Sequence, residues 1–160
     1  MTTYEKLIAA VDALPEEAIE RTKKELTRKG YDTTGYQYQF IVNVLNEVVG
    51  PEKWDMDWSV IKEIEGVTKS GQATYQVTVR TDVWIEFDGV RAKKSLAGGH
   101  ISTIHADALK GAITNGFKKT VALFGVGKKA YEGMLDDDYA PIPEEVGEPT
   151  KRKTTDDLDL

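Results

Sequence analysis

The segment ATYQVTVRTDVWIEFDG, residues 73–89, decides the fold of this chain. Tyr75, Val77, Val79, Thr81, Val83, Ile85 and Phe87 recur at every second position, with mostly polar residues between them. That period belongs to a strand with one buried and one open face. Asp88-Gly89 then signals a tight hairpin, because both residue types tolerate the positive φ that such turns require. Upstream, Trp54, Met56, Trp58 and Val60 alternate with Asp55, Asp57 and Ser59, and Gly66 to Gly71 reads as the turn between the two runs. Downstream, Val90 to Ala97 returns as a third strand carrying Arg91, Lys93 and Lys94, and Gly98-Gly99 is expected to break the sheet. The centre of the chain is thus an antiparallel meander of at least three strands.

Helical patterns flank this meander. Leu7, Ile8, Val11 and Leu14 have helical spacing over residues 3–14, and Pro15 ends that run. PEEAIERTKKELTRK, residues 15–29, predicts a second helix, with Pro15 at its first position, acids at its start and bases at its end. Gly30 would close it. Residues 36–50 carry the stripe Phe40, Ile41, Val44, Leu45 and Val48, with Thr34 as the expected N-cap and Gly50-Pro51 as the stop. After the meander, Ser102 or Thr103 is expected to cap a long helix over residues 104–124. Its predicted buried stripe is Ile104, Leu109, Ile113, Phe117, Val121 and Phe124, and Gly125 and Gly127 end it. The fold class is therefore α+β: N-terminal helices, an antiparallel three-stranded or longer meander and a long basic C-terminal helix. The expected division is a helical arm over residues 1–30, a core domain over 31–135 and a disordered acidic tail over 136–160.

The 160 residues suffice for one domain with a real core, and the absence of cysteine excludes disulfides and thiolate chemistry. No apolar run approaches the roughly 20 residues of a membrane span, and the N-terminus lacks the basic-then-apolar pattern of a signal peptide. A cytoplasmic location is expected, with no membrane partner. The net charge of −6 belongs to the last 25 residues, which hold 9 acids and 3 bases, whereas residues 1–135 hold 18 of each. Within that neutral body, residues 89–135 carry eight basic residues and only two acids, Asp107 and Glu132. Clustered positive charge attracts polyanions whatever the total charge.

The bases group around one segment, ADALKGAITNGFKKTVALFGVGKKAYEG, residues 106–133. Lys118 and Lys119 are adjacent, so they point about 100° apart on a helix and can straddle a phosphate track. Lys110 lies near the same face, Thr114 and Asn115 add neutral donors, and Gly116 lets a chain approach closely. Phe124-Gly125-Val126-Gly127-Lys128-Lys129 is not a phosphate loop: Ala122 replaces the first glycine of that motif, Lys129 replaces its Ser/Thr, and the segment ends a helix. His100 and His105, five apart, suit neither zinc ligation nor a triad. Asp55, Asp57 and Asp136 to Asp138 read as solvated acids. Tyr31, Tyr36, Tyr38, Phe40, Tyr75, Trp84 and Phe87 are available for core packing or for base stacking. No acid–base pair points to an enzyme, and no cofactor is expected.

Lys110-x3-Thr114-x-Gly116-x-Lys118-Lys119-x4-Phe124-Gly125 resembles the signature helix of the Rad52 superfamily of single-strand annealing proteins, including phage and bacterial members of the Sak type. Asn43-x2-Asn46-Glu47-x2-Gly50-x3-Trp54 is similar to the family's upstream helix, glycine and strand-opening tryptophan. The likeness covers roughly residues 24–135. It implies a ring-forming homo-oligomer that holds single-stranded DNA in a positive groove, with Lys118 and Lys119 as the matching basic pair. The chain departs from the family at Gln39 or Phe40, where eukaryotic members have an arginine, and at Ala122 and Asp107, where they have further bases.

The implied function is ATP-independent single-stranded DNA binding and annealing in recombination and repair. The expected DNA-binding residues are Lys118, Lys119, Lys110, Asn115, Lys128, Lys129, Arg91, Lys93 and Lys94. A single-strand-binding protein or a recombinase is a candidate protein partner. Two rival readings are a DNA-end binding and protection module without annealing activity, and a scaffold whose basic surface docks acidic proteins.

Overall fold

The computed structural model describes residues 1–22 and 33–132. The expected tail over 136–160, Gly30 and Tyr31 lie outside the described residues. Helix α1 (Thr3–Asp12) opens the fold, with the Thr2 hydroxyl accepting from the Glu5 amide. The short strands β1 (Ile19–Thr22) and β2 (Thr33–Tyr36) pair antiparallel, Glu20 opposite Gly35. Helix α2 (Tyr38–Val44) follows and widens into a π-turn over Leu45–Val49. Strands β3 (Trp54–Val67), β4 (Ala73–Phe87) and β5 (Val90–Ser102) form the meander, in the order β3-β4-β5. Helix α3 (His105–Ala122) crosses β4 and β5.

The period-two reading of β4 is borne out. Val77, Val79, Thr81, Val83 and Ile85 are all buried and face the core. Asp88 and Gly89 both take positive φ (51° and 82°), as the two-residue turn requires. Register carries the same face across the sheet: Trp54, Met56, Trp58 and Val60 stand opposite Ile85, Val83, Thr81 and Val79. The main core joins Leu7 and Val11 of α1, Ile41, Val44 and Leu45, Val83 and Ile85, and Phe117, Val121 and Phe124. A smaller cluster joins Val77 and Val79 to Ala108 and Ala112. Helix α1 is therefore built into the core.

Several expectations are corrected. Residues 15–22 do not begin a second helix; Glu16–Ala18 make one 3-10 turn and β1 follows. The sequence had good helix ends there but no apolar stripe, since only Ala18, Ile19 and Leu26 are apolar between residues 16 and 29. A helix without a face to bury gains little from packing. The chain instead ties itself to the start of α2, with Gln37 donating from its amide to the Ala18 carbonyl (2.8 Å) and from its side chain to the Glu17 carbonyl (2.9 Å). Thr34 lies in β2, and Gln37 holds the cap position of α2.

Gly98-Gly99 does not break the sheet, because β5 runs on to Ser102. These glycines are where α3 comes down on the strand. A Cβ on Gly98 would lie 2.2 Å from the Gly116 backbone nitrogen. The face of α3 that meets the sheet is accordingly the small one, Ala108, Ala112, Gly116 and Thr120, with Phe117 and Val121 beside it. Ile104 is exposed, and Leu109 and Ile113 are only partly covered. Ile104 holds the cap position, and the Ser102 hydroxyl accepts from the Ile104 amide rather than capping the first turn.

Candidate nucleic-acid interface

The basic helix is held by its contact with the sheet. Gly116 and Gly98 let backbone approach backbone, and a Cβ on Gly116 would meet the Thr81 side chain at 2.8 Å. Thr120 seals the joint: its hydroxyl lies 2.7 Å from the Thr81 hydroxyl, and the two protons of this pair serve that contact and one of the two carbonyls within reach, Gly116 (2.7 Å from Thr120) or Leu96 (2.9 Å from Thr81). The glycine expected to admit a nucleic-acid chain thus admits the protein's own strand. Asn115 likewise turns to the sheet, its side-chain oxygen accepting from the Gly99 amide at 3.1 Å.

The upstream motif reaches the same helix from the other side. Asn46, in the π-turn, accepts from the Trp54 indole N–H at 2.8 Å. Gly50 turns the chain with φ 107°, so the end of α2 and the start of β3 are fixed together. Trp54 packs tilted on Phe117 (5.8 Å between centroids), and Tyr38 packs edge-on against the same ring at 5.1 Å. The two motif segments therefore meet at Phe117, the residue just before the paired lysines. Burial of Tyr38 raises its hydroxyl above the usual tyrosine range, so it stays neutral and presents a ring and a donor.

Lys110, Thr114 and Lys118 follow one another at four-residue spacing, which stacks them along one stripe of α3. That stripe borders an open groove of about 890 Å³ lined by Glu20, Gln37, Tyr38, Gln39, Ala106, Leu109, Lys110, Ile113 and Thr114. Its size is that of a ligand cleft, and its walls mix apolar surface with a few polar groups. Lys110 is exposed. Lys118 Nζ lies 3.6 Å from Glu20 Oε2. Lys119, one turn beyond Asn115, belongs to the β5 side of the helix, so the two adjacent lysines serve opposite flanks of α3.

The other expected bases do not join this groove. Lys129 pairs with Asp12 of α1 (3.4 Å) and Lys128 with Glu132 (3.7 Å), so the glycine-lysine loop fastens α1 and its own end. Arg91 stacks on Trp84, 3.6 Å from the ring centroid, on the sheet face away from α3. Lys93 stands opposite Trp84 on that same outer face, near Asp55, Asp57 and Asp82. Asp82 is held below its ordinary carboxyl range, first by the Ser95 hydroxyl and then by Arg80. Asp55 and Asp57 each accept from the next backbone amide. Lys94 stands opposite Val83 and shares the α3 side of the sheet.

Sequence reasoning missed Glu20, Gln37 and Gln39. Glu20 falls within the helix expected over residues 15–29, and the pairing of β1 with β2 brings it to α3 instead. His105 bonds Glu63 of β3 at 3.0 Å and packs against Tyr75, while the His100 ring covers Gly111. Among the described residues no three metal-ligating side chains come together, and no described helix is long and apolar enough to cross a membrane.

No curated protein matches the chain significantly. The family model described as Rad52/22 family double-strand break repair protein matches residues 11–138, which spans both motif segments, the whole meander and α3. The chain belongs to the Rad52/22 family of double-strand break repair proteins.

Proposed function

We propose that this protein binds single-stranded DNA and anneals complementary strands without ATP, as a ring-forming homo-oligomer of the phage or bacterial Sak type. Family membership carries DNA repair and recombination, with single-strand binding and oligomerisation as properties of the family. The observation that supports the finer reading best is the Lys110–Thr114–Lys118 stripe, set beside an open groove on a helix locked to the sheet through Gly98 and Gly116. A rigid row of cations spaced along a helix neutralises phosphates of an extended strand and leaves the bases free to pair. Such binding is independent of sequence and falls steeply with salt, because each neutralised phosphate releases counterions. Lys119 and Lys94 add positive charge on the β5 flank.

Assembly has structural support in the sheet. Strand β3 is a 14-residue edge, and its α3-side residues Trp58 and Val60 are each 42% exposed, since α3 lies mainly over β4 and β5. A long edge with apolar side chains invites pairing with another chain. Repetition around a ring turns one modest cation stripe into many contacts on one strand.

The test measures oligo-dT binding and annealing of complementary oligonucleotides side by side, without nucleotide. Annealing well above the spontaneous rate supports the proposal. Tight binding without acceleration favours end protection, and no binding at low salt favours a protein scaffold.

A further inference from the structure

We propose that Glu20 is a built-in competitor for DNA at Lys118, and that it sets how long a strand must be before the groove accepts it. This inference rests on the reading of the groove as the DNA site. Glu20 is the acid that lines the groove, and its carboxylate lies 3.6 Å from Lys118 Nζ. It therefore sits where a phosphate oxygen would sit. The register explains its reach: Glu20 stands opposite Gly35, which offers no side chain to hold it, and β1 delivers it across to α3.

The exposures decide what kind of contact this is. The Lys118 side chain is 22% exposed and the Glu20 side chain 54%. The lysine is thus partly fixed by its surroundings, while its partner stands mostly in water. Ion pairs of that sort are weak, since water and salt compete for both charges. The fold loses little when Glu20 lets go, so the pair is poorly suited to a structural role.

Competition has a consequence for length. A phosphate that takes Lys118 must displace the carboxylate, which then remains tethered nearby and repels it. A single phosphate or a short oligonucleotide has few other contacts with which to offset that repulsion. A strand running through several subunits gains at Lys110 and Lys118 of each, and these contacts multiply. Glu20 thereby disfavours small anions and short fragments while permitting long single strands.

The experiment compares the full-length protein with Glu20→Gln and Glu20→Ala, titrated with fluorescent oligo-dT of graded length at fixed salt, alongside thermal melting. Both variants are expected to keep the wild-type Tm within about 2 °C, because an exposed pair contributes little. Both should bind about two- to fivefold more tightly per engaged subunit, the range an exposed ion pair spans. The shortest oligonucleotide that binds should become shorter, and the gain should vanish in a Lys118→Ala background. Unchanged or weaker binding by both variants, with Lys118→Ala still weakening the wild type, overturns the role of Glu20 and leaves the groove standing. Lys118→Ala without effect on binding overturns the groove itself, and the inference with it.

Discussion

Replacing Gly98 by alanine tests the joint on which the interface depends. The added Cβ would lie 2.2 Å from the Gly116 nitrogen, 2.3 Å from the Gly116 Cα and 2.5 Å from the Ala112 carbonyl oxygen. All three are backbone atoms of α3, so no side chain can swing aside. Ordinary contact needs about 3.5 Å, so the helix must move off β5 by more than about 1 Å. That shift loosens the Thr81–Thr120 bond and the packing of Ala108, Ala112 and Phe117 together. Overpacking of this kind costs about 1–3 kcal/mol, which is a fall in Tm of roughly 2–12 °C for a chain of this size. Annealing should fall as well, because the stripe Lys110–Thr114–Lys118 moves with the helix. Neighbouring positions provide the controls. A Cβ on Gly99 meets nothing closer than the Val77 carbonyl at 3.6 Å, and the atoms nearest one on Gly111 belong to the His100 side chain, not to backbone. Gly99→Ala should therefore melt within about 2 °C of the wild type, and Gly111→Ala should cost less than Gly98→Ala. The assay is thermal melting by circular dichroism with annealing on the same samples. A Gly98→Ala protein that melts and anneals like the wild type would refute the backbone contact between α3 and β5.

Other expectations follow from single contacts. Asn46→Ala removes the acceptor of the Trp54 indole, and should cost about 1 kcal/mol, read as a lower Tm; an unchanged Tm shows that Asn46 does not fix Trp54. Asp82 is held below its ordinary value of 3.8 by Ser95 and Arg80. A carboxyl with a lowered folded pKa stabilises the protein above its unfolded pKa, and that gain is lost as pH falls through the folded value. Asp82→Asn should therefore lower the Tm at pH 7, and the difference should close below about pH 4; a difference that persists in acid contradicts this origin. Lys128→Ala/Lys129→Ala breaks two ion pairs outside the groove. It should reduce oligo-dT affinity less than Lys118→Ala alone, and the reverse order would move the DNA path to the loop after α3.

The parts of the fold that were legible in sequence are those with a period. The alternation from Tyr75 to Phe87 and the Asp88-Gly89 turn specify a strand and its hairpin by local rules, and the structure agrees residue by residue. What local rules missed was decided by tertiary contact. Gly98-Gly99 reads as a break because glycine weakens strands, yet here glycine is what lets α3 lie on β5. Of the large apolar residues expected to form the buried stripe, Phe117, Val121 and Phe124 are buried, but the first half of α3, pressed onto backbone, buries its smallest residues, Ala108, Ala112 and Gly116, in place of Ile104, Leu109 and Ile113. Residues 15–22 had caps and dipole-matched charges but no apolar face, so their pairing partner lay in β2. The same limit applied to the candidate site. Lys110, Thr114 and Lys118 were readable from four-residue spacing. Their neighbours Glu20 and Gln37 were not, since both arrive from a segment whose conformation depends on β2 and α2. The charge count of residues 89–135 also hid a division: it summed cations that the fold distributes over a groove, a loop tied to α1 and the far face of the sheet.

The most direct test is annealing of complementary oligonucleotides by the Lys118→Ala/Lys119→Ala variant, with its melting temperature measured alongside. These lysines flank α3 without belonging to its buried face, so the variant is expected to fold. The account predicts that its annealing rate drops by about tenfold or more, in step with a loss of oligo-dT affinity that is greatest at low salt. A folded double variant that anneals at the wild-type rate would contradict it.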